Sequence, residues 1–109
     1  MIIRGTTPIH YFDFPFEATD VQQLSIVYKQ NKEIKIRKAL EEVSFDENSL
    51  IVNLSQEDTF SFDGVGIPSI PSKSLVLIQI KVMLKDGSIF VSDPMKERVF
   101  DICDEEVME

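Results

Sequence analysis

One alternating stretch constrains the fold of this chain more than any other feature. From residue 74 to residue 84 every second side chain is apolar: Val76, Ile78, Ile80, Val82 and Leu84. This is the period-2 pattern of a strand with one buried face. Asp86-Gly87 and an alternating run to Ser92 follow, and Asp-Gly between two such runs is a strong signal for a hairpin with a two-residue type I′ turn. The sequence therefore predicts a half-buried β-hairpin.

The same alternation recurs along most of the chain. Further strands are predicted within residues 9–16, 23–30, 33–38, 49–54 and 96–103, with a tight turn at Asn31-Lys32 and another at Asp46-Glu47-Asn48. Ser55 is a candidate cap for a helical turn that ends at Phe60, because Asp58 stands at the position that completes a capping box. Phe60 or Phe62 is expected to pack beneath that turn.

These patterns predict an all-β fold. We expect an antiparallel β-sandwich of immunoglobulin-like type, with about seven or eight strands and one short helical turn. A small open-edged barrel is the alternative. The predicted core faces consist of Leu24, Ile26, Tyr28, Ile34, Ile36, Val52, Leu54, Val76, Ile78, Ile80, Val82, Ile89, Val91 and Val99.

Length and charge limit the domain count and the class of partner. The 109 residues suffice for one core, and we assign residues 1–103 to a single domain and residues 104–109 to an acidic C-terminal tail. The net charge of −8 argues against a nucleic-acid partner. With no signal-peptide pattern and no long apolar run, we expect synthesis in the cytoplasm and no membrane partner.

Residues that could support catalysis or bind a cofactor are few. His10 is the only histidine and Cys103 the only cysteine, so neither a two-histidine metal site nor a disulfide within the chain can be composed. No phosphate-binding glycine motif or nucleophile motif is present. We therefore predict no enzyme, no cofactor, no metal site and no small-molecule ligand. Whether the acidic clusters bind calcium stays open, and none has EF-hand spacing.

Three features are candidate protein interfaces. The first is a basic stripe that consists of Lys29, Lys32, Lys35, Arg37 and Lys38. It would serve either to protect an edge strand or to dock an acidic surface. Lys35 and Arg37 are its candidate interface residues. Phe12, Phe14 and Phe16 share one strand face, which belongs either to the core or to a subunit interface. Ile67 and Ile70 lie in a Gly- and Pro-rich loop over residues 63–72 that favours contact.

Several segments together resemble a family of small proteins encoded by phages and prophages of Gram-positive bacteria. They are Met1–Pro8, Phe12–Phe16, Ile26–Asn31, Leu54–Thr59 and Ile78–Val82, in that order. The chain departs from the family at residues 63–72 and 104–109. The resemblance implies a virion-associated protein with an immunoglobulin-like sandwich.

These observations lead to a functional hypothesis. We expect a non-enzymatic phage or prophage structural or assembly module that acts through protein–protein contacts. Its partners would be other phage structural proteins, with a homo-oligomer as a further form, and its place would be the virion. The alternative is a soluble binding module that acts on a host protein.

Overall fold

A computed structural model describes residues 1–63 and 75–100. The described residues form nine strands and one short α-helix. Two single turns of 3-10 helix, at Ala18–Asp20 and Leu40–Glu42, lie between strands. The elements are β1 (Ile2–Ile3), β2 (Ile9–Asp13), β3 (Val21–Gln30), β4 (Glu33–Ala39), β5 (Ser44–Asp46), β6 (Ser49–Asn53), α1 (Gln56–Phe60), β7 (Leu75–Leu84), β8 (Ile89–Val91) and β9 (Met95–Phe100).

The strands form two sheets, which confirms the predicted all-β, sandwich-like fold. The larger sheet has the order β1-β9-β7-β3-β4, and β8 pairs with the C-terminal half of β7. The smaller sheet has the order β2-β6-β5. All strand pairs are antiparallel except that of β1 with β9, which is parallel. The sequence did not predict β1, because a strand of two residues is too short to show an alternating pattern.

The core lies between the sheets and follows the predicted alternation of the two long strands. β3 and β7 pair over nearly their whole length, so their inward-facing side chains form adjacent rows. Eleven of the fourteen predicted core residues are buried: Leu24, Ile26, Tyr28, Ile36, Val52, Leu54, Val76, Ile78, Ile80, Val82 and Val99. The core also contains Ile2, Phe14, Val21, Leu50 and Phe62.

The prediction that Ile34 faces the core is wrong, and a β-bulge explains why. In the pairing of β3 with β4, Tyr28 lies opposite Ile36 whereas the next residue, Lys29, lies opposite Ile34. Lys35 is therefore the extra residue of the bulge, and the alternation of β4 is shifted there. Ile34 is 47% exposed on the outer side of the sheet, and only 13% of the Lys35 side chain is exposed.

The predictions that Ile89 and Val91 are core residues are also wrong. Both belong to β8, whose only strand partner among the described residues is β7. They are 57% and 55% exposed, because they lie opposite the outward-facing residues Met83 and Lys81. The strand between Ser88 and Ser92 exists as predicted, but its faces are reversed relative to the expectation.

One of the two hairpin turns differs from the sequence expectation in type. The Asp86-Gly87 hairpin forms, but its loop has three residues, since the Leu84 amide donates to the Ser88 carbonyl at 2.8 Å. Only Gly87 has a positive φ, of 90°, so the predicted two-residue type I′ turn is wrong. The tight turn predicted at Asn31-Lys32 is confirmed, and its two central residues are both left-handed, with φ of 52° and 66°.

The helical turn forms as predicted. The Ser55 hydroxyl accepts from the Asp58 amide at 3.0 Å, and the Asp58 carboxylate accepts from the Ser55 amide at 2.9 Å. These two bonds are the predicted capping box at the start of α1. Phe62, which follows the turn, is buried, and its ring centre lies 6.1 Å from that of Tyr28. Among the described residues, no helix has the length and apolar character needed to span a membrane.

Some sequence predictions lie outside the described residues. They concern Ile67 and Ile70 in the Gly- and Pro-rich loop, the end of the last strand with Cys103, and the boundary between the domain and the tail at residue 104. The immunoglobulin-like assignment of the sandwich stays a prediction.

Candidate functional site: the outer face of the larger sheet

One face of the larger sheet is the candidate site, and the strand register determines which residues it contains. Residues paired across neighbouring strands of a sheet project on the same side. Lys96, Leu77, Lys29 and Ile34 therefore form one row across β9, β7, β3 and β4. Other outward rows are Arg37–Val27–Gln79, Ala39–Ser25–Lys81–Val91 and Gln23–Met83–Ile89. We call the surface formed by these rows, together with Arg98 opposite Leu75, the outer face.

The charge of the outer face is opposite to that of the whole chain. Its strand positions contain five cations, Lys29, Arg37, Lys81, Lys96 and Arg98, and none of the described outward positions on β3, β4, β7, β8 and β9 is a carboxylate. The chain as a whole has 19 acidic and 11 basic residues. Nearly half of the basic residues therefore lie on one surface of an acidic protein.

Apolar side chains alternate with these cations. Leu77, Ile89 and Val91 are exposed, as is Ile34 at the bulge. Part of the outer face is an open groove of about 950 Å³ that runs over β3, β4, β7 and β8. Glu41, from the 3-10 turn after β4, is the one carboxylate among the described residues that line it. The outer face therefore combines cations with exposed aliphatic side chains, and the described residues leave it uncovered.

The cations of the outer face differ from the other lysines of β4 in their surroundings. Lys38 lies 2.9 Å from an oxygen of Asp58, and Lys35 lies 3.3 Å from Glu33 and 3.4 Å from Asp63. Burial alone would lower the pKa of Lys35, and the two carboxylates outweigh it and raise that pKa. Within the described residues the five cations of the outer face form no ion pair.

The structure separates the residues that the sequence suggested as an interface. Arg37 lies on the outer face and lines the groove. Lys35 instead projects from the bulge toward Glu33 and Asp63. Ile67 and Ile70 lie outside the described residues. The predicted basic stripe is thus divided, since Lys29 and Arg37 face outward while Lys35 and Lys38 are ion-paired.

The aromatic residues of the suggested interface belong to the core or pack against it. Phe14 is 3% exposed and packs against Phe16 and Phe45, with ring centres 5.4 Å and 5.2 Å away. Phe12 and Phe16 are half-buried against the core. The Phe16 ring lies 5.0 Å from that of Phe90, beside a small cavity of about 270 Å³. This placement favours the core interpretation of the aromatic face over the interface interpretation.

Two titratable side chains, His10 and Tyr28, contact each other between the two sheets. Burial lowers the pKa of His10, whose Nδ1 lies 2.7 Å from the Tyr28 hydroxyl, and burial likewise raises the pKa of Tyr28. The two rings are stacked, with their centres 5.7 Å apart. Among the described residues, no group of three or more His, Cys, Asp or Glu side chains is placed to hold a metal ion.

Sequence reasoning missed most of the outer face. Leu77, Lys81, Lys96 and Arg98 were not identified, because their grouping depends on which strands are neighbours. The alternation alone places Lys81 on the polar side of β7, and this was the one available signal.

No family model, no curated protein and no solved structure matches this chain.

Proposed function

We propose that this chain is a non-enzymatic phage or prophage structural or assembly module that acts through protein–protein contacts. The observation that carries the contact function is the outer face, where exposed aliphatic residues alternate with five cations. The phage assignment rests on the family resemblance of the sequence segments described above. The outer face is the surface through which the module binds its partner.

The chemistry of the outer face supports a contact function. Leu77 and Val91 are exposed aliphatic side chains, and a partner that covers them removes apolar surface from water, which makes the free energy of binding more favourable. The surrounding cations orient the partner and increase the association rate more than they increase affinity. Gln79, between these cations, donates to the Ser92 carbonyl at 3.0 Å and thereby links β7 to the end of β8. The binding surface is therefore formed by paired strands.

The absence of an enzymatic role is part of the proposal. The only imidazole of the chain, that of His10, is half-buried and hydrogen-bonded to Tyr28 between the two sheets. Both groups act there as structural elements of the sandwich. A catalytic role would need a reacting group in contact with this imidazole from the solvent side.

Mass spectrometry of purified particles tests this function. The strain that carries the gene is induced, particles are purified, and the abundance of this protein is compared with that of the major capsid and tail proteins. A fixed stoichiometric ratio in the particles is expected. Absence from particles, with the protein abundant in the lysate, would overturn the structural role and favour the host-directed binding module.

A pair of matched variants tests the surface. Leu77 and Tyr11 are both exposed on strands, but Leu77 lies on the outer face of the larger sheet and Tyr11 on the smaller sheet. Leu77→Glu is expected to remove the protein from particles or from its assembly complex, whereas Tyr11→Glu is expected to leave its abundance unchanged. Equal incorporation of both variants would show that the outer face is not the contact surface.

A further inference from the structure

We propose that the outer face binds an acidic polypeptide segment in which apolar side chains stand between carboxylates, supplied by a partner protein. This inference rests on the proposed contact function and names the chemistry of the partner. Charge complementarity carries it, because Lys29, Arg37, Lys81, Lys96 and Arg98 lie together on a chain of net charge −8.

The arrangement of the rows determines which features the partner must have. Lys96 and Lys29 flank Leu77 in one row and lie two strands apart, which corresponds to roughly 10 Å. A ligand that satisfies both ammonium groups therefore needs two carboxylates separated by an apolar group above Leu77. The row that contains Lys81 and Val91 repeats this combination of charge and aliphatic surface on the neighbouring strands.

A nucleic acid fits this surface less well. Single-stranded nucleic acids bind through aromatic side chains on which the bases stack, and no aromatic ring is among the described residues that line the groove. Phosphates would leave the aliphatic groups at Ile34 and Val91 exposed to water.

Fluorescence anisotropy with the full chain tests the inference. The probe is a labelled peptide that repeats Glu-Glu-Val-Val, since this repeat places carboxylate and valine alternately on each side of an extended chain. Saturable binding with a Kd below about 1 mM is expected. The affinity should fall when the salt concentration rises from about 0.05 M to about 0.5 M, because salt screens the charge pairs.

Charge-reversal variants locate the binding site. Arg37→Glu/Lys81→Glu is expected to weaken binding of the peptide about tenfold or more, since two attractive contacts become repulsive. Lys85→Glu, which changes an exposed lysine in the turn after β7, is expected to change the Kd less than about twofold. Unfolding midpoints near that of the wild type show that the variants are folded. An equal effect of the two changes would overturn the assignment to the outer face.

Three other probes distinguish the alternatives. A Lys-Lys-Val-Val peptide and a Glu-only peptide are expected to bind more weakly, and equal binding of the Glu-only peptide would overturn the role of the aliphatic groups. A single-stranded oligonucleotide of equal charge that binds as tightly as the acidic peptide would overturn the choice of a polypeptide partner. Absence of saturable peptide binding would overturn the inference itself.

The chain also has an acidic segment of its own at residues 104–106, and a variant tests whether this segment competes with the peptide. Asp104→Asn/Glu105→Gln/Glu106→Gln lowers the negative charge of the sequence beyond β9. Unchanged peptide affinity is expected. A tenfold gain would show that these residues compete for the outer face, which would overturn the partner assignment. If the peptide fails to bind while Leu77→Glu still blocks incorporation, only this inference falls and the proposed function stands.

Discussion

The Nδ1 atom of His10 lies 2.7 Å from the hydroxyl oxygen of Tyr28, and the resulting hydrogen bond joins the two sheets of the sandwich. His10 comes from β2 in the smaller sheet, and Tyr28, which is fully buried, from β3 in the larger one. A polar link between facing sheets restricts how one sheet is positioned over the other, because a shift would break the bond in a poorly solvated site.

This link makes stability depend on pH. Burial lowers the pKa of His10 below 6.5, and the Glu97 carboxylate acts in the opposite direction without outweighing it. Below about pH 6.5 the unfolded chain therefore binds a proton that the folded chain does not, so the stability present above this pH is lost as the pH falls. Urea unfolding at pH 7.5 and pH 5.5 should show a larger fall for the wild type than for His10→Gln, whose side chain does not titrate. Equal falls would contradict this.

Gln30 is a second polar group whose removal has a predictable cost. Its amide donates to the Asp63 carbonyl at 2.6 Å and accepts from the Asp63 amide at 2.7 Å, which fixes the chain just after Phe62. Gln30→Leu is expected to lower the free energy of unfolding by about 1–3 kcal/mol, because the backbone groups of Asp63 lose these partners. Gln22→Leu, the same change at an exposed position of β3, should cost less than about 0.5 kcal/mol. Chemical denaturation measures both values.

The alternation of β7 predicted its faces because no bulge interrupts its pairing with β3 between Leu24 and Gln30. In β4 the bulge at Lys35 moved Ile34 outward, and a bulge is a property of two paired strands that a single strand does not show. Ile89 was assigned to the wrong face for a related reason. The three residues of β8 are all apolar, so the sequence does not indicate which of them face the core. The exposure of each residue depends on its pairing with β7.

The capping box of α1 could be predicted because it involves residues three positions apart, Ser55 and Asp58. The cations of the outer face could not be grouped in the same way. Lys29 and Lys96 are 67 positions apart in the sequence (96 − 29), and only the order β9-β7-β3 places them in one row. Local chemistry was therefore predictable, whereas the candidate site depends on contacts between distant strands.

The assigned faces of β7 are testable with two adjacent residues. Ile80 is buried in the core, and Lys81 faces solvent on the outer face. Ile80→Ala is expected to reduce the free energy of unfolding by about 2–5 kcal/mol, through lost burial and the cavity left behind. Lys81→Ala should change it by less than about 0.5 kcal/mol. A reversed ranking in urea denaturation would mean that the faces of β7 are assigned wrongly.

Asp58 combines a helix cap with an ion pair, and the two contributions can be separated. Burial alone would raise the pKa of Asp58, but the hydrogen bonds from the Ser55 amide and the Lys38 ammonium outweigh it and hold that pKa below 3.8. The carboxylate lies 2.9 Å from the Lys38 nitrogen, and both side chains are largely buried. Asp58→Asn keeps an oxygen that can accept from the Ser55 amide, so its main loss is the charge. We expect it to cost about 1 kcal/mol at pH 7.

The pH dependence of this cost identifies its source. A depressed carboxyl pKa contributes stability that is complete above the unfolded value of 3.8 and is lost as the pH falls through the folded value. The difference in unfolding free energy between the wild type and Asp58→Asn should therefore shrink as the pH falls below 3.8. Glu57→Gln, at an exposed position of the same helical turn, is the control and should stay within about 0.5 kcal/mol of the wild type. In a double-mutant cycle, Lys38→Met should have almost no further effect in the Asp58→Asn background, because the charge pair is already broken. Additive effects of the two changes would show that the ion pair between Asp58 and Lys38 does not stabilise the fold.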